Sequence, residues 1–169
     1  PLSTENRFLD PKICHEHLEK LLAEEAATLA RLEELLDQEH EYLRVNDVDR
    51  LEQAGEARQS CIVALIAIED ERRSLCRMMN VPTDASGLDK LLTWCDPTHQ
   101  LKTRWAACAD RAARCRSLND RNGALVTARL KRVEGMLGVI TGRAHQPKVY
   151  GSKGGYESSG RGEHVIATV

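Results

Sequence analysis

The stretch that decides the fold is Thr98–Thr141, which reads THQLKTRWAACADRAARCRSLNDRNGALVTARLKRVEGMLGVIT. It contains no proline, and its apolar residues recur every three or four positions, the spacing of one helix face. The stretch therefore predicts one long α-helix. Asn119, Asn122 and Gly123 interrupt its apolar stripe, although asparagine and glycine are poor residues for a helix interior. Residues that break a local preference inside a regular element indicate a specific role at that point.

The N-terminal part of the chain predicts another long helix, which begins at Asp10-Pro11. The aspartate supplies an oxygen acceptor at the cap position, and proline suits the first helical position. Leucines then follow alternating steps of four and three wherever the stripe is unbroken, which is the heptad spacing of helices that pack nearly parallel. A break falls at residues 44–47, where Asn46 or Asp47 can cap the next helix. The leucines of this stripe are Leu18, Leu22, Leu29, Leu32, Leu36 and Leu43.

Between these two segments the sequence predicts one more long helix and a short one. The long helix runs from about Val48 to Met79, and the short helix from Leu88 to Cys95, with Ser86 as its cap. Asp96-Pro97-Thr98 then ends the short helix and starts the last long one. Charged residues interrupt the apolar seams, which indicates either surfaces left open within the monomer or ordinary imperfect packing. These interruptions are Glu25, Glu39, Arg58, Arg72 and Arg129.

The distribution of charge predicts which helices lie side by side. Residues 11–44 carry nine acidic and four basic residues, whereas residues 102–134 carry nine basic and three acidic residues. This asymmetry favours packing of the first long helix against the last, although each exposed pair contributes only about 0.2–1 kcal/mol.

Together these features predict an all-α fold, an elongated antiparallel bundle of three long helices plus one short helix. We assign residues 1–142 to the helical bundle domain. Residues 143–169 contain five glycines and no leucine, so they cannot bury enough apolar surface to offset their ordering entropy. We therefore expect them to form a flexible, glycine-rich C-terminal tail.

Composition and motif spacing argue against several classes of protein. None of the six cysteines forms a Cys-x-x-Cys, no histidine follows a glutamate at helical metal-site spacing, and no catalytic pair is recognisable. We therefore predict no catalytic residue, no metal site and no cofactor, with the cysteines buried as small apolar residues. The N-terminus does not resemble a signal peptide and no apolar run approaches 18 residues, so we expect a soluble cytoplasmic protein without membrane insertion. The net charge of −2 and the absence of aromatics among the basic residues argue against nucleic-acid binding.

What remains is binding of another protein. The two asparagines and the glycine in the last helix admit two interpretations: they set register and packing, or they contact a partner directly. In the first, Asn119 and Asn122 make buried hydrogen bonds, and Gly123 allows a neighbouring helix to approach closely.

Two motifs resemble those of the FlgN family of flagellar export chaperones. Leu118-Asn119-Asp120-Arg121-Asn122-Gly123 is similar to the family's Leu-Asn-x-x-Asn-Gly in its last long helix. Tyr150-Gly151-Ser152-Lys153-Gly154 is similar to the family's Tyr-Gly-x-x-Gly after that helix. The order, spacing and helical context of the two motifs all agree with the family, whereas the earlier helices fit by length and pattern only.

The resemblance implies a cytoplasmic chaperone that binds the C-terminal segments of hook–filament junction (hook-associated) proteins. It also implies delivery of those proteins to the cytoplasmic domain of the flagellar type III export gate. By region, the resemblance assigns substrate binding to the end of the last helix. By motif, it assigns the gate contact to Tyr150, Gly151 and Gly154. The residues expected to bind substrate are Val126, Leu130, Val133, Leu137 and Ile140.

Two other functions remain open on the sequence. One is a structural coiled-coil module that self-associates, as a homodimer through the last long helix. The other is a nucleic-acid-binding helical protein that uses the basic residues of that helix.

Overall fold

The computed structural model describes residues 10–141, and the side chains of residues 10–138. Within that part of the chain there are four helices and no strand. They are α1 (Pro11–Val45), α2 (Val48–Met78), α3 (Ala85–Cys95) and α4 (Gln100–Thr141). The predicted all-α fold of three long helices and one short one is confirmed. The proposed tail, residues 143–169, lies outside the described residues.

The ends of α1 and the start of α2 follow the capping chemistry that the sequence indicated. Asp10 Oδ1 accepts a hydrogen bond from the Lys12 amide at 2.9 Å, with Pro11 in the first helical position. Asn46 adopts a left-handed backbone conformation, with φ of 59°, and closes the C-terminal end of α1. Asp47 caps α2 by accepting from the Arg50 amide at 3.1 Å. This short connection reverses the chain, so α2 runs antiparallel to α1.

The starts of the last two helices differ from the prediction. Asp84, rather than Ser86, caps α3, because its carboxylate accepts from the amides of Ser86 and Gly87 at 3.0 and 3.2 Å. The helix therefore begins at Ala85, three residues before the predicted start. α4 begins at Gln100 instead of Thr98, since His99 has a φ of 58° and cannot continue a helix.

α1 is the central helix of the bundle. α2 and α4 each pack along its length but contact one another little. Leu36 and Asn122 come together, as do Glu19 and Arg104, so α4 runs parallel to α1. The core between them is built mainly of leucines and buried cysteines. Its fully buried members include Cys14, Leu29, Leu32, Leu36, Leu75, Cys76, Leu101, Ala112 and Cys115.

Ion pairs between α1 and α4 confirm the packing that the charge asymmetry predicted. Four arginines of α4 lie within 3.1–3.4 Å of acidic side chains of α1. These pairs are largely exposed, so they favour this arrangement without contributing much stability. They are Arg104–Glu19, Arg111–Glu33, Arg114–Glu33 and Arg121–Asp37.

The charged residues that interrupt the seams of α1 and α2 pair with each other. Arg72 donates to Glu25 at 2.8 Å and Arg58 donates to Glu39 at 2.8 Å, across the interface between the two helices. Burial raises the pKa of Glu25 and of Glu39, and the attraction of the facing arginine opposes that rise. For these four residues the open-surface interpretation is wrong, because their side chains close the interface.

All six cysteines are buried and unpaired, as predicted. Loss of solvation raises the pKa of the Cys115 thiol to about 12, so it remains protonated and packs as a small apolar group. None of the helices in residues 10–141 has the length and apolar character needed to cross a membrane.

Candidate protein-binding surface

The last turns of α4 extend past the end of α1. Glu19 lies beside Arg104 and Leu36 beside Asn122, an offset of 85–86 residues along the two parallel helices. The same offset places Val45, the last residue of α1, level with about residue 130 of α4. From there to Thr141 the helix continues for about 16 Å at 1.5 Å per residue. We call this segment, residues 130–141, the projecting end.

An apolar strip lies along the projecting end and the turn before it. Every residue from Leu130 to Leu137 is exposed, and Val126 is half-buried. Leu130 and Val133 each leave 52% of their surface in solvent, Met136 leaves 58% and Leu137 leaves 54%. Contiguous apolar groups in solvent, unlike single ones, mark sites of interaction with another molecule. We define the apolar strip as Val126, Leu130, Val133, Met136 and Leu137.

The apolar strip continues the apolar seam of α4. The earlier turns of that seam are covered by α1. An α-helix completes five turns in 18 residues, so residues that far apart point in the same direction. Val126, Leu130 and Val133 therefore repeat the directions of three buried residues of the seam. Those residues, Cys108, Ala112 and Cys115, are each no more than 4% exposed. The strip is thus a helix-packing surface whose partner helix has ended.

Asn122 lies in the turn before the strip and fixes how α4 sits on α1. Its side chain is fully buried, and its Nδ2 donates to the Leu36 carbonyl at 2.8 Å. Its Oδ1 lies 3.2 Å from His40 Nδ1, which donates in the tautomer that carries the proton there. A buried amide with both ends satisfied specifies one register of two helices. The register-and-packing interpretation therefore describes Asn122, while Asn119 beside it is half-buried.

Gly123 does not provide the close helix packing that the sequence suggested. A Cβ added at this position would meet no atom within 4 Å, so no neighbouring helix approaches closely there. The expectation of close packing at Gly123 is wrong, because the space beside this glycine is open. Its carbonyl accepts a hydrogen bond from Thr127 Oγ1 at 3.0 Å.

The structure brings most of the expected substrate-binding residues onto one face. Val126, Leu130, Val133 and Leu137 share the apolar strip, whereas Ile140 belongs to α4 but its side chain is not among those described. The residues expected to contact the export gate, Tyr150, Gly151 and Gly154, lie outside the described residues. Met136, three residues after Val133, also lies on the strip, although it is not among the residues expected to bind substrate.

Two further apolar residues are exposed at the same end of the bundle. Val45 and Val48 flank the connection between α1 and α2 and are 53% and 64% exposed. The sequence pattern does not indicate these two residues, because neither belongs to an apolar repeat. Their position depends on where the connection between α1 and α2 lies. They extend the apolar character of this end of the molecule beyond α4.

One cavity lined by described residues has no room for a metabolite. This cavity of about 20 Å³ lies near the other end, with Glu25, Arg72, Leu88 and Trp105 among its lining residues. That volume accommodates roughly one water molecule. Within residues 10–141, moreover, no three His, Cys, Asp or Glu side chains are grouped so that they could hold a metal ion. The surface that stands out chemically is therefore the apolar strip.

Comparison with known proteins identifies the family of this chain. A sequence model described as FlgN protein matches residues 15–158, which is most of the chain. The chain belongs to the FlgN family. FlgN proteins are flagellar export chaperones, and the family implies binding of flagellar proteins. No curated protein and no solved structure matches the chain.

The FlgN match contains all four helices except the first four residues of α1, and it reaches past α4. It therefore includes both motifs on which the resemblance was based. The earlier helices, which fitted the family only by length and pattern, also fall within the match.

Proposed function

We propose that this protein is a cytoplasmic chaperone that binds the C-terminal segments of hook–filament junction proteins along the apolar strip. It then delivers them to the cytoplasmic domain of the flagellar type III export gate. The observation that carries the first part is the half-exposed strip on the projecting end, in a chain of the FlgN family. A partner's amphipathic helix laid on this strip would bury the groups that α1 leaves uncovered.

The chemistry of the strip suits a chaperone that must release its substrate. Covering about 500 Å² of apolar surface yields about 12 kcal/mol before costs, at about 25 cal/mol per Å². Loss of motional freedom and ordering of the partner's helix offset most of that gain. The complex is then reversible, as delivery requires.

Substitution of Val133 by aspartate tests the binding surface. Val133→Asp places a charge at the centre of the strip and removes about 2 kcal/mol of apolar burial. We expect binding of a junction protein's C-terminal segment to weaken by at least about 30-fold in calorimetry. Helicity by circular dichroism should be unchanged, because Val133 is 52% exposed and outside the core.

Val63→Asp is the matched control for that experiment. Val63 is 57% exposed on α2, so it receives the same substitution at similar exposure away from the strip. Substrate affinity should remain at the wild-type value in this control. Equal affinity of the Val133 variant and the wild type would rule out the strip as the binding surface.

Delivery to the gate is assigned to the motif that contains Tyr150. An aromatic ring with a polar tip offers a large contact area at small entropic cost, which suits a transient second contact. We expect Tyr150→Ala to leave substrate affinity unchanged and to reduce secretion of junction proteins into the medium. Tyr156→Ala, outside the motif, is the control and should secrete normally. Unfolding of the bundle by Tyr150→Ala would instead assign this tyrosine a structural role.

Self-association is a second candidate function for the same strip. Two copies could cover each other's apolar residues and form a homodimer, and light scattering across a range of concentrations would detect it. Nucleic-acid binding has less support, because four arginines of α4 lie beside acidic residues of α1. Retention of DNA or RNA at about 50 mM salt would be its signature.

A further inference from the structure

Most arginines of α4 lie along one side of its apolar seam, and Arg116 lies on the other side. In the body of the bundle two of them, Arg111 and Arg114, both pair with Glu33 of α1 at 3.1 and 3.3 Å. Beside them Cys115 Sγ contacts the Leu29 carbonyl at 3.7 Å. At this level α4 therefore presents an apolar seam with a basic flank, and α1 covers it with leucines and an acidic residue.

The same arrangement recurs 18 residues further along α4. Arg129 and Arg132 stand five helical turns after Arg111 and Arg114, so they point in the same directions. Leu130 and Val133 stand in the same relation to Ala112 and Cys115. The apolar strip thus has the basic flank that α1 matches in the body. Within residues 10–141, however, neither Arg129 nor Arg132 has an acidic side chain at ion-pair distance.

We infer that the projecting end selects an acidic amphipathic helix, one that presents apolar residues to the strip and carboxylates to Arg129 and Arg132. The inference rests on the proposed function in taking the strip as the binding surface, and adds the charge of the segment that occupies it. Two observations support it: continuity with the interface between α1 and α4, and the basic flank beside the strip. The α1 residues Leu29, Leu32 and Glu33 show the pattern that the partner's helix would reproduce.

The opposite flank of the strip is chemically different, which makes the selection directional. Arg129 and Arg132 point about 50° and 110° away from the centre of the strip on one side, by the 100° step between successive residues. On the other side Glu134 points about 90° away and Lys131 about 150° away, so Lys131 is the farthest of the four from a helix seated on the strip. A helix that turns its carboxylates toward the two arginines gains from them, and a helix that turns lysines toward them is repelled.

Two synthetic peptides test the inference. Each is about three heptads long with the same leucine stripe, and glutamates flank the stripe in one whereas lysines flank it in the other. Their binding to the full chain is measured by fluorescence anisotropy, below the concentration at which either peptide associates with itself. We expect the acidic peptide to bind about tenfold more tightly at low salt. This preference should shrink as the salt concentration rises to about 0.5 M.

Charge reversal on the chaperone completes the test. The double variant Arg129→Glu/Arg132→Glu should prefer the lysine peptide, while Lys131→Glu, the matched control, should keep the wild-type preference. The inference is overturned if neither peptide binds, if both bind equally, or if the preference survives in the double variant. Circular dichroism of each variant verifies that the bundle is intact.

The outcome separates this inference from the proposed function. A chain that prefers the acidic peptide but fails to bind junction-protein segments would contradict the proposed function and support the inference. If the chain binds those segments, loses that binding in the Val133→Asp variant and shows no preference between the two peptides, the proposed function is supported and the inference is contradicted.

Discussion

At the scale of single residues, the Glu25–Arg72 pair is the most consequential feature of the core. Both side chains are buried, and the 2.8 Å hydrogen bond joins α1 to α2. Removing one partner of such a pair leaves an uncompensated charge, which typically costs about 3–5 kcal/mol. We expect Arg72→Met to lower the free energy of unfolding by about that amount in urea denaturation. The double variant Glu25→Leu/Arg72→Met should recover most of the loss, because the unpaired Glu25 charge is gone and Glu69, the other acidic partner of Arg72, keeps its ion pair with Arg73.

The same variant has a defined pH dependence. In the wild type, burial raises the pKa of Glu25 above its ordinary value of 4.5, while Arg72 opposes the rise. Without Arg72 the folded-state pKa rises further, so the folded chain binds the Glu25 proton more tightly than the unfolded chain. The penalty of Arg72→Met should therefore be small below pH 4.5 and should grow as pH rises through the folded-state pKa. A penalty that is the same at pH 4 and pH 7 would contradict this account.

At the scale of helices, we predict that replacing glycine by alanine has opposite effects on stability at positions 123 and 87. Gly123→Ala should raise the free energy of unfolding by about 0.5–1 kcal/mol, because alanine favours the helix and the space is open. Gly87→Ala should lower it by about 1–3 kcal/mol, since its Cβ would come within 1.5 Å of the Pro82 carbonyl oxygen. Urea unfolding of both variants checks the pair. Destabilisation by Gly123→Ala would reveal a close neighbour at this position.

The sequence predicted the helices well because each is specified locally. Asp10-Pro11 and Asn46-Asp47 act on amides a few residues away, so their effect can be read without knowing the fold. The start of α3 was misplaced because Asp84 and Ser86 are both good caps. Only the backbone geometry shows that the Asp84 carboxylate accepts from two amides.

Pairing between helices was predictable only in part. The charge asymmetry between α1 and α4 was sufficient to place them side by side, since many residues share it. By contrast, Glu25 and Arg72 are 47 positions apart in the chain. Their pairing depends on the relative register of α1 and α2, which no local pattern reveals.

At the scale of the whole molecule, the apolar strip results from register as much as from composition. Apolar spacing placed Leu130 and Val133 on one face of α4, but this spacing is the same for buried and exposed parts of the seam. Exposure depends on where α1 ends relative to α4, and the Asn122 hydrogen bond to Leu36 fixes that relation. The proposed chaperone surface is therefore the part of α4 that extends past the register set at Asn122.

Hydrogen exchange can test this division of α4 directly. Amides of residues 105–122 lie on the covered part of the helix, so they should exchange slowly, with the free energy of global unfolding. Amides of residues 131–138 belong to exposed turns without a covering helix, so local opening should let them exchange much faster.

When a junction-protein segment binds, protection should rise over residues 127–138 and remain unchanged over residues 105–122. Val133→Asp should abolish that gain, whereas Val63→Asp should preserve it. Equal protection of both parts of α4 in the free chain would mean that the projecting end is covered in solution.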